Sequence, residues 1–262
     1  MAFLVASSPF TKMKQYPVNE IFGPTIQGEG PLAGKRTFFI RFAGCDFDCD
    51  WCDSKYAVNP KYPGWSKLMQ DTNDIENSLL SLGLATGDWI ALSGGNPALF
   101  VDLEFCEAMG VYKLLMETQG SKVIDSDVLA QLDCLVVSPK PPSSGMAERM
   151  DPRVVYDAVF YRRRTQLTAL KYVIFDDADL DWVIYFDKLV DAPPEVERFL
   201  SVGTPLGLHL EGPFLNPKTD SRLAVCERLE LLFNRVAKDP KLRDFRVLPQ
   251  LHVLAWGQKR GV

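Results

Sequence analysis

Gly44-Cys45-Asp46-Phe47-Asp48-Cys49-Asp50-Trp51-Cys52-Asp53-Ser54 places three thiols within eight residues, directly after the apolar run Thr37-Phe38-Phe39-Ile40-Arg41-Phe42. Sulfur ligands select thiophilic centres, so three thiolates from one loop suit zinc or an iron-sulfur cluster. Either centre wants four ligands per metal unit, and the loop supplies three. In a cubane 4Fe-4S cluster held by three cysteines, the fourth iron stays open to a ligand from outside the protein. A structural zinc site would instead draw its fourth ligand from Cys106, Cys134, Cys226, His209 or His252, all distant in sequence. A thioredoxin-like pair at Cys49 and Cys52 leaves Cys45 unexplained. A zinc deaminase would need His-x-Glu and Pro-Cys-x-x-Cys elements, which are missing.

The chain around this loop has 262 residues, 47% of them apolar, which allows a full core and suits one α/β domain. Residues 1–15 are unpatterned and read as an N-terminal extension, leaving 16–262 as the domain. Net charge is −5 and no basic run exceeds Arg162-Arg163-Arg164, so a phosphate-backbone partner is not expected. The opening Met1–Pro9 is too short in its apolar part for a secretory signal, and no window reaches the length of a membrane span. These features predict a cytoplasmic protein with neither a nucleic-acid nor a membrane partner. In a reducing compartment, clustered cysteines are metal ligands more often than disulfides.

Outward from the cysteine loop, the pattern is β-loop-α. Thr37–Phe42 is a buried strand interrupted by Arg41, whose charge requires an internal carboxylate or an anionic ligand. Trp89–Leu92 runs into Ser93-Gly94-Gly95-Asn96-Pro97, Lys113–Met116 into Glu117-Thr118-Gln119-Gly120, and Cys134–Val137 into Ser138-Pro139-Lys140-Pro141-Pro142. With Leu170–Phe175 and Leu206–Leu210 this predicts six parallel strands. Helices are expected at a capping box Asn73-x-x-Glu76, at 102–109, 126–132, 152–161 and 179–190, and at 220–238. The last carries Leu223, Cys226, Leu229, Phe233 and Val236 on one stripe. Six βα units cannot close an eightfold barrel, so the expectation is an incomplete, partial TIM-like βα barrel. Its ligands should gather at the carboxyl ends of the strands. Glu20–Phe22 is a short apolar run before the glycine- and proline-rich loop 23–31, and 56–70 is irregular.

Several of these loops have a bland reading beside a functional one. Two glycines at a strand end make a turn, or expose backbone amides to a ligand. Glu117 is a solvated strand end, or an acceptor for a ribose or a guanidine-like ring edge. The three prolines around Lys140 stiffen a surface turn, or fix a ligand. Cys106, Cys134 and Cys226 read as core fillers and His209 as a core histidine. Asp46 and Asp48 read as solvated loop charges, while Ser54 and its acidic neighbours suit magnesium, which keeps waters and uses few protein groups.

Cys-x3-Cys-x2-Cys with an aromatic before the last cysteine resembles the signature of the radical S-adenosylmethionine (SAM) superfamily. The resemblance implies a 4Fe-4S cluster on Cys45, Cys49 and Cys52, with SAM chelating the open iron and cleaved to a 5′-deoxyadenosyl radical. Ser93-Gly94-Gly95-Asn96-Pro97 resembles that superfamily's Gly-Gly-Glu-Pro segment, with Asn96 in place of Glu. Together with Ile26-Gln27-Gly28-Glu29-Gly30, the loops after Glu117 and Ser138, and the tail from Leu248 through Trp256-Gly257-Gln258-Lys259-Arg260-Gly261-Val262, the chain resembles the 7-carboxy-7-deazaguanine synthase family.

That resemblance implies a homodimeric, magnesium-dependent lyase. It would convert 6-carboxytetrahydropterin to 7-carboxy-7-deazaguanine and ammonia on the queuosine route, using SAM catalytically and a reductant such as flavodoxin. It implies SAM contacts at Trp51, Cys52, Asp53, Ser93, Gly94, Gly95, Asn96, Ser138, Pro139 and Lys140. Pterin contacts fall at Ile26, Gln27, Gly28, Glu29, Arg41, Ser93, Glu117, His252 and the terminal Val262. Ser54 takes the magnesium position, and Arg41 and Glu117 stand closest to the chemistry.

Overall fold

The computed structural model describes residues 13–160, 166–204, 221–257 and 259–261. The chain begins with β1 (Tyr16–Ile26) and β2 (Arg36–Phe42), followed by β3 (Leu68–Gln70) and α1 (Thr72–Ser81). There follow β4 (Trp89–Gly94), α2 (Leu103–Ala108), β5 (Lys113–Thr118), α3 (Ser126–Gln131), β6 (Cys134–Val137) and α4 (Pro152–Phe160). The remainder is β7 (Leu167–Ile174), α5 (Asp177–Val190), β8 (Glu197–Val202), α6 (Ser221–Lys238), β9 (Phe245–Val247) and α7 (Leu251–Trp256).

The nine strands of the described residues form one sheet in the order β3-β1-β2-β4-β5-β6-β7-β8-β9. From β2 to β9 the pairing is parallel, and β1 and β3 add an antiparallel edge. Among the described residues the outermost strands do not pair with each other, so the barrel stays open. Among the described residues no helix is long and apolar enough to cross a membrane.

Side chains alternate across the sheet, and the two faces carry different cores. Ile90, Leu92, Leu114, Met116, Leu135 and Val137 face the helices within the large cluster. Ala91, Leu115, Val136, Ala169 and Phe199 fill a small cluster on the concave side, with Phe39 packed against it. Two residues further along each strand, the same concave face changes from apolar to polar: Arg41, Ser93, Glu117, Ser138 and Lys171. The apolar half closes the floor, and the polar half opens at the carboxyl ends.

The structure corrects several sequence expectations. There are seven parallel strands among the described residues, because β8 and β9 are added, while the strand expected at 206–210 lies outside them, as does His209. The run at Glu20–Phe22 extends into an eleven-residue strand that includes Gly23 and Pro24. A register shift between Phe22 and Thr25 absorbs that pair, and a bulge is where a strand tolerates proline. The capping box of α1 is Asp71 with Asp74: each side chain accepts from the other's backbone N–H. On α6 the inward residues are Val225 and Leu232, with Leu229 and Val236 packed beside them, whereas Leu223, Cys226 and Phe233 are exposed. Cys226 is therefore no core filler, unlike the fully buried Cys106 and Cys134. Both stripes have helical spacing, and only the docking of the helix chooses between them.

Candidate active site

A cavity of about 320 Å³ opens at the carboxyl rim, lined by Cys45, Cys49 and Cys52 together with Arg41, Glu117 and Lys171. Ile26, Gln27, Gly28 and Glu29 reach it from the end of β1, and His252 reaches it from α7. Trp51, Asp53, Ser54, Ser93, Gly94, Gly95, Ser138 and Lys140 complete the sequence-predicted residues found there. Asn96 and Pro139 stand behind the wall, and Val262 lies outside the described residues.

Arg41 is partnered within the chain through two of its nitrogens. Its Nε donates to Glu20 Oε1 at 2.7 Å and its Nη1 to Ser54 Oγ at 3.1 Å. Ser54 Oγ in turn donates to Asp53 Oδ1 at 2.8 Å. Glu20 also accepts from the Tyr56 hydroxyl at 3.2 Å and pairs with Arg260 at 3.0 Å. The Arg260 guanidinium lies 3.5 Å from the centroid of the Tyr56 ring. Burial pushes the Glu20 carboxyl up, but Arg41 and Arg260 outweigh it and hold it below its ordinary value.

A second buried polar group surrounds Glu29. Its carboxylate pairs with Lys171, a residue of β7, and accepts from Gln250 Nε2 at 2.6 Å. Gln27 Nε2 donates to Glu117 Oε1 at 3.1 Å, while Gln27 Oε1 accepts from the Glu29 backbone N–H at 3.2 Å. Burial raises the Glu29 carboxyl, yet Lys171 and His252 together with the hydrogen bonds bring it down to about 2. For Glu117, burial dominates: Lys171, Arg41 and Gln27 only partly offset it, and its pKa is raised. Gly28 has no room for a side chain, since a Cβ there would come 2.3 Å from His252 Nδ1.

The cysteine loop is braced from two sides. Trp51 Nε1 donates to Ser143 Oγ at 2.9 Å, and Ser143 donates through its hydroxyl (2.6 Å) and its backbone N–H (2.9 Å) to the fully buried Asp179. Arg149 donates to the Asp46 carbonyl at 2.9 Å and covers the Phe47 ring. Burial pushes the thiols up, Cys45 to about 11 and Cys52 to about 12, with Cys49 also raised. Loading with metal therefore has to displace protons. Among the described residues no three His, Cys, Asp or Glu side chains converge closely enough for a single ion. Three thiols lining one cavity suit a thiophilic centre.

Asp46 and Asp48 are not free loop charges. Asp48 pairs with Lys61 and accepts from the Tyr62 hydroxyl. Asp46 Oδ1 accepts from Gln119 Nε2 at 2.7 Å and from Asn96 Nδ2 at 3.0 Å. Asn96 Oδ1 takes the Thr118 hydroxyl at 2.8 Å. An amide both donates to Asp46 and accepts from Thr118; a glutamate there would set a carboxylate against Asp46. The loop before it needs its glycines for close approach, since a Cβ on Gly95 would lie 1.9 Å from the Gly44 carbonyl oxygen. Ser93 Oγ is buried on the cavity wall without a hydrogen-bond partner among the described residues, and such an orphan calls for a ligand atom or water. Lys140 Nζ donates to Ser138 Oγ at 3.2 Å and lies over the Trp51 ring.

The sequence pattern does not single out Lys171, Gln119 or Gln250. Lys171 carried the same signal as Arg41, a charge inside an apolar strand, in Leu167–Ile174. The two amides carried none, because glutamine in a loop is unremarkable until its partners are known.

An open, mainly parallel sheet with a three-cysteine loop after its first parallel strand and a glycine loop after its second defines a radical-SAM-type α/β fold. The solved QueE from Escherichia coli has that fold in common with the chain: TM-score 0.60, 19% identity, covering 91% of this chain and 95% of that one. No protein-family model matches the chain. The 7-carboxy-7-deazaguanine synthases of Bacillus cereus and Bacillus subtilis are each 37% identical over 95% of this chain, covering 100% and 99% of their own lengths. That of Thermoplasma acidophilum is 33% identical over 94% of the chain. The chain belongs to the 7-carboxy-7-deazaguanine synthase family.

Proposed function

We propose that the chain is a radical SAM carbon-nitrogen lyase that converts 6-carboxy-5,6,7,8-tetrahydropterin to 7-carboxy-7-deazaguanine with release of ammonia. The observation that carries this is the shared cavity: the three cysteines line the same space as Arg41, Gln27 and Glu117. When bound, a 4Fe-4S cluster on Cys45, Cys49 and Cys52 with SAM supplies the one-electron chemistry.

The protein's own groups bind and orient. Ser138, Lys140 and the Gly94-Gly95 backbone face SAM, and the orphaned Ser93 hydroxyl gains a partner when ligand fills the site. Gln27 and Glu117 take the amino-pyrimidinone edge of the pterin. Arg41 neutralises its carboxylate, and the buried position excludes water from the reacting carbon. Asp53 and Ser54 offer two oxygen donors, which suits magnesium. Arg41 donates to the Ser54 hydroxyl, so the guanidinium adjoins the oxygen donors that would hold magnesium, and both positive groups would attract the substrate carboxylate. Family membership supports a homodimer, a flavodoxin-like electron donor and a cytoplasmic setting.

The test is an anaerobic assay of reconstituted protein with SAM, magnesium, a strong reductant and 6-carboxytetrahydropterin, read by mass spectrometry. Deazaguanine formed without matching net loss of SAM is the expected result. Cleavage of SAM with untouched pterin would move the assignment to another small substrate. No cleavage by fully loaded protein would leave a non-catalytic iron-sulfur or zinc protein.

A further inference from the structure

Glu29 and Glu117 face one cavity, and a single buried lysine stands near both. Lys171 projects from the middle of β7, with its side chain 9% exposed. It pairs with one oxygen of Glu29, and Gln250 takes the other. Both oxygens of that carboxylate are thereby engaged within the chain. Among the described residues Glu117 has only Gln27 as a hydrogen-bond partner, through one oxygen. Breaking a buried ion pair is costly, but well-packed apolar residues often replace the whole pair without loss, so stability alone does not explain this one. Its place on a cavity wall among polar side chains points to the ligand instead.

Resting on the pterin assignment above, we propose that Lys171 is a substrate-positioning residue: by occupying Glu29, it leaves Glu117 as the carboxylate that receives the N–H donors of the pterin edge. The charged groups facing Glu117 are Lys171 from β7, Glu29 from the end of β1 and Arg41 from β2. Lys171 also faces Asp53, and Glu29 also faces His252. An ionised Glu117 is the better acceptor, so binding tightens as pH rises through its titration. Lys171 favours the ionised form and Glu29 opposes it, so removing each should move the midpoint in opposite directions.

The experiment measures binding of the fluorescent probe 6-carboxypterin to the reconstituted holoenzyme with SAM, across pH, for wild type, Lys171→Met, Lys171→Arg and Glu29→Gln. Lys171→Met should weaken binding roughly tenfold, the equivalent of one charge-dependent contact, and shift the midpoint up, with SAM affinity unchanged. Glu29→Gln should shift the midpoint down, and Lys171→Arg should restore most of the affinity. A lysine with a merely structural role would lower the melting temperature and leave both midpoints in place, which overturns the proposal. If Lys171→Met does not fold, Glu29→Gln decides alone: a lowered midpoint supports the proposal and an unmoved one overturns it. Wild type that binds SAM but no pterin would sink the substrate assignment, and the role of Lys171 with it.

Discussion

Glu29 and Glu117 sit on the same cavity wall, and their surroundings displace their titrations in opposite directions. Glu29 is held down from 4.5 to about 2. Its pairing stabilises the fold fully above the unfolded pKa, and that stability is lost as pH falls from about 4.5 towards the folded value. Glu29→Gln should therefore destabilise by on the order of 3 kcal/mol at neutral pH, with the difference vanishing towards pH 2 in melts run across the acid range. Glu117 has the opposite sign: its raised pKa means that stability present in acid is lost as pH rises through the folded value. Glu117→Gln should raise the melting temperature at neutral pH while weakening pterin binding. Arg41→Gln should cost about 2 kcal/mol, below the roughly 3 to 5 of a fully buried broken pair, because Arg260 stays on Glu20. Denaturant titration measures that loss, and the KM for the pterin should rise alongside it. At this scale the sequence displayed Arg41 and Glu117 as anomalies. It did not display Lys171 as the counter-charge of Glu29, because 142 positions separate the pair.

At the scale of elements, α5 and the loop after β6 brace the cysteine loop. Asp179 near the start of α5 accepts from Ser143 and from the Phe175 backbone N–H, and Ser143 accepts from Trp51. Asp179→Ala would strand buried donors at a cost of about 1 to 3 kcal/mol each. The expected outcome is a lower melting temperature and faster loss of iron from the reconstituted cluster, read by absorbance during incubation with a chelator. Where the β4 loop crosses the end of β2, Gly95→Ala has no room beside Gly44. It should prevent the rim from closing, lowering soluble yield and SAM affinity together, as equilibrium dialysis would detect. The β-loop-α alternation was legible because parallel strands buried on both faces read as apolar runs. Strand β1 was not, because its Gly-Pro pair has turn chemistry and only pairing with β2 holds it extended.

Across the whole molecule, the two ends of the described chain meet beside the cavity: Arg260 covers Tyr56 and pairs with Glu20 of β1. Half-exposed pairs contribute at most about 1 kcal/mol. Arg260→Ala should therefore leave the melting temperature nearly unchanged while raising the pterin KM severalfold and sparing SAM affinity, measured by steady-state assay and dialysis. The thiol spacing, the turn chemistry and the period of the apolar runs are local properties of the chain. By itself, then, the sequence determined the three-cysteine loop, the βα alternation and the loops that carry polar groups. The partners of those groups were settled only by tertiary structure: Glu20 for Arg41, Lys171 for Glu29, and Asp46 between Asn96 and Gln119. So was the face of α6 that turns inward. Each of these depends on strand order, register and docking, which bring distant residues to one concave face and which no local pattern encodes.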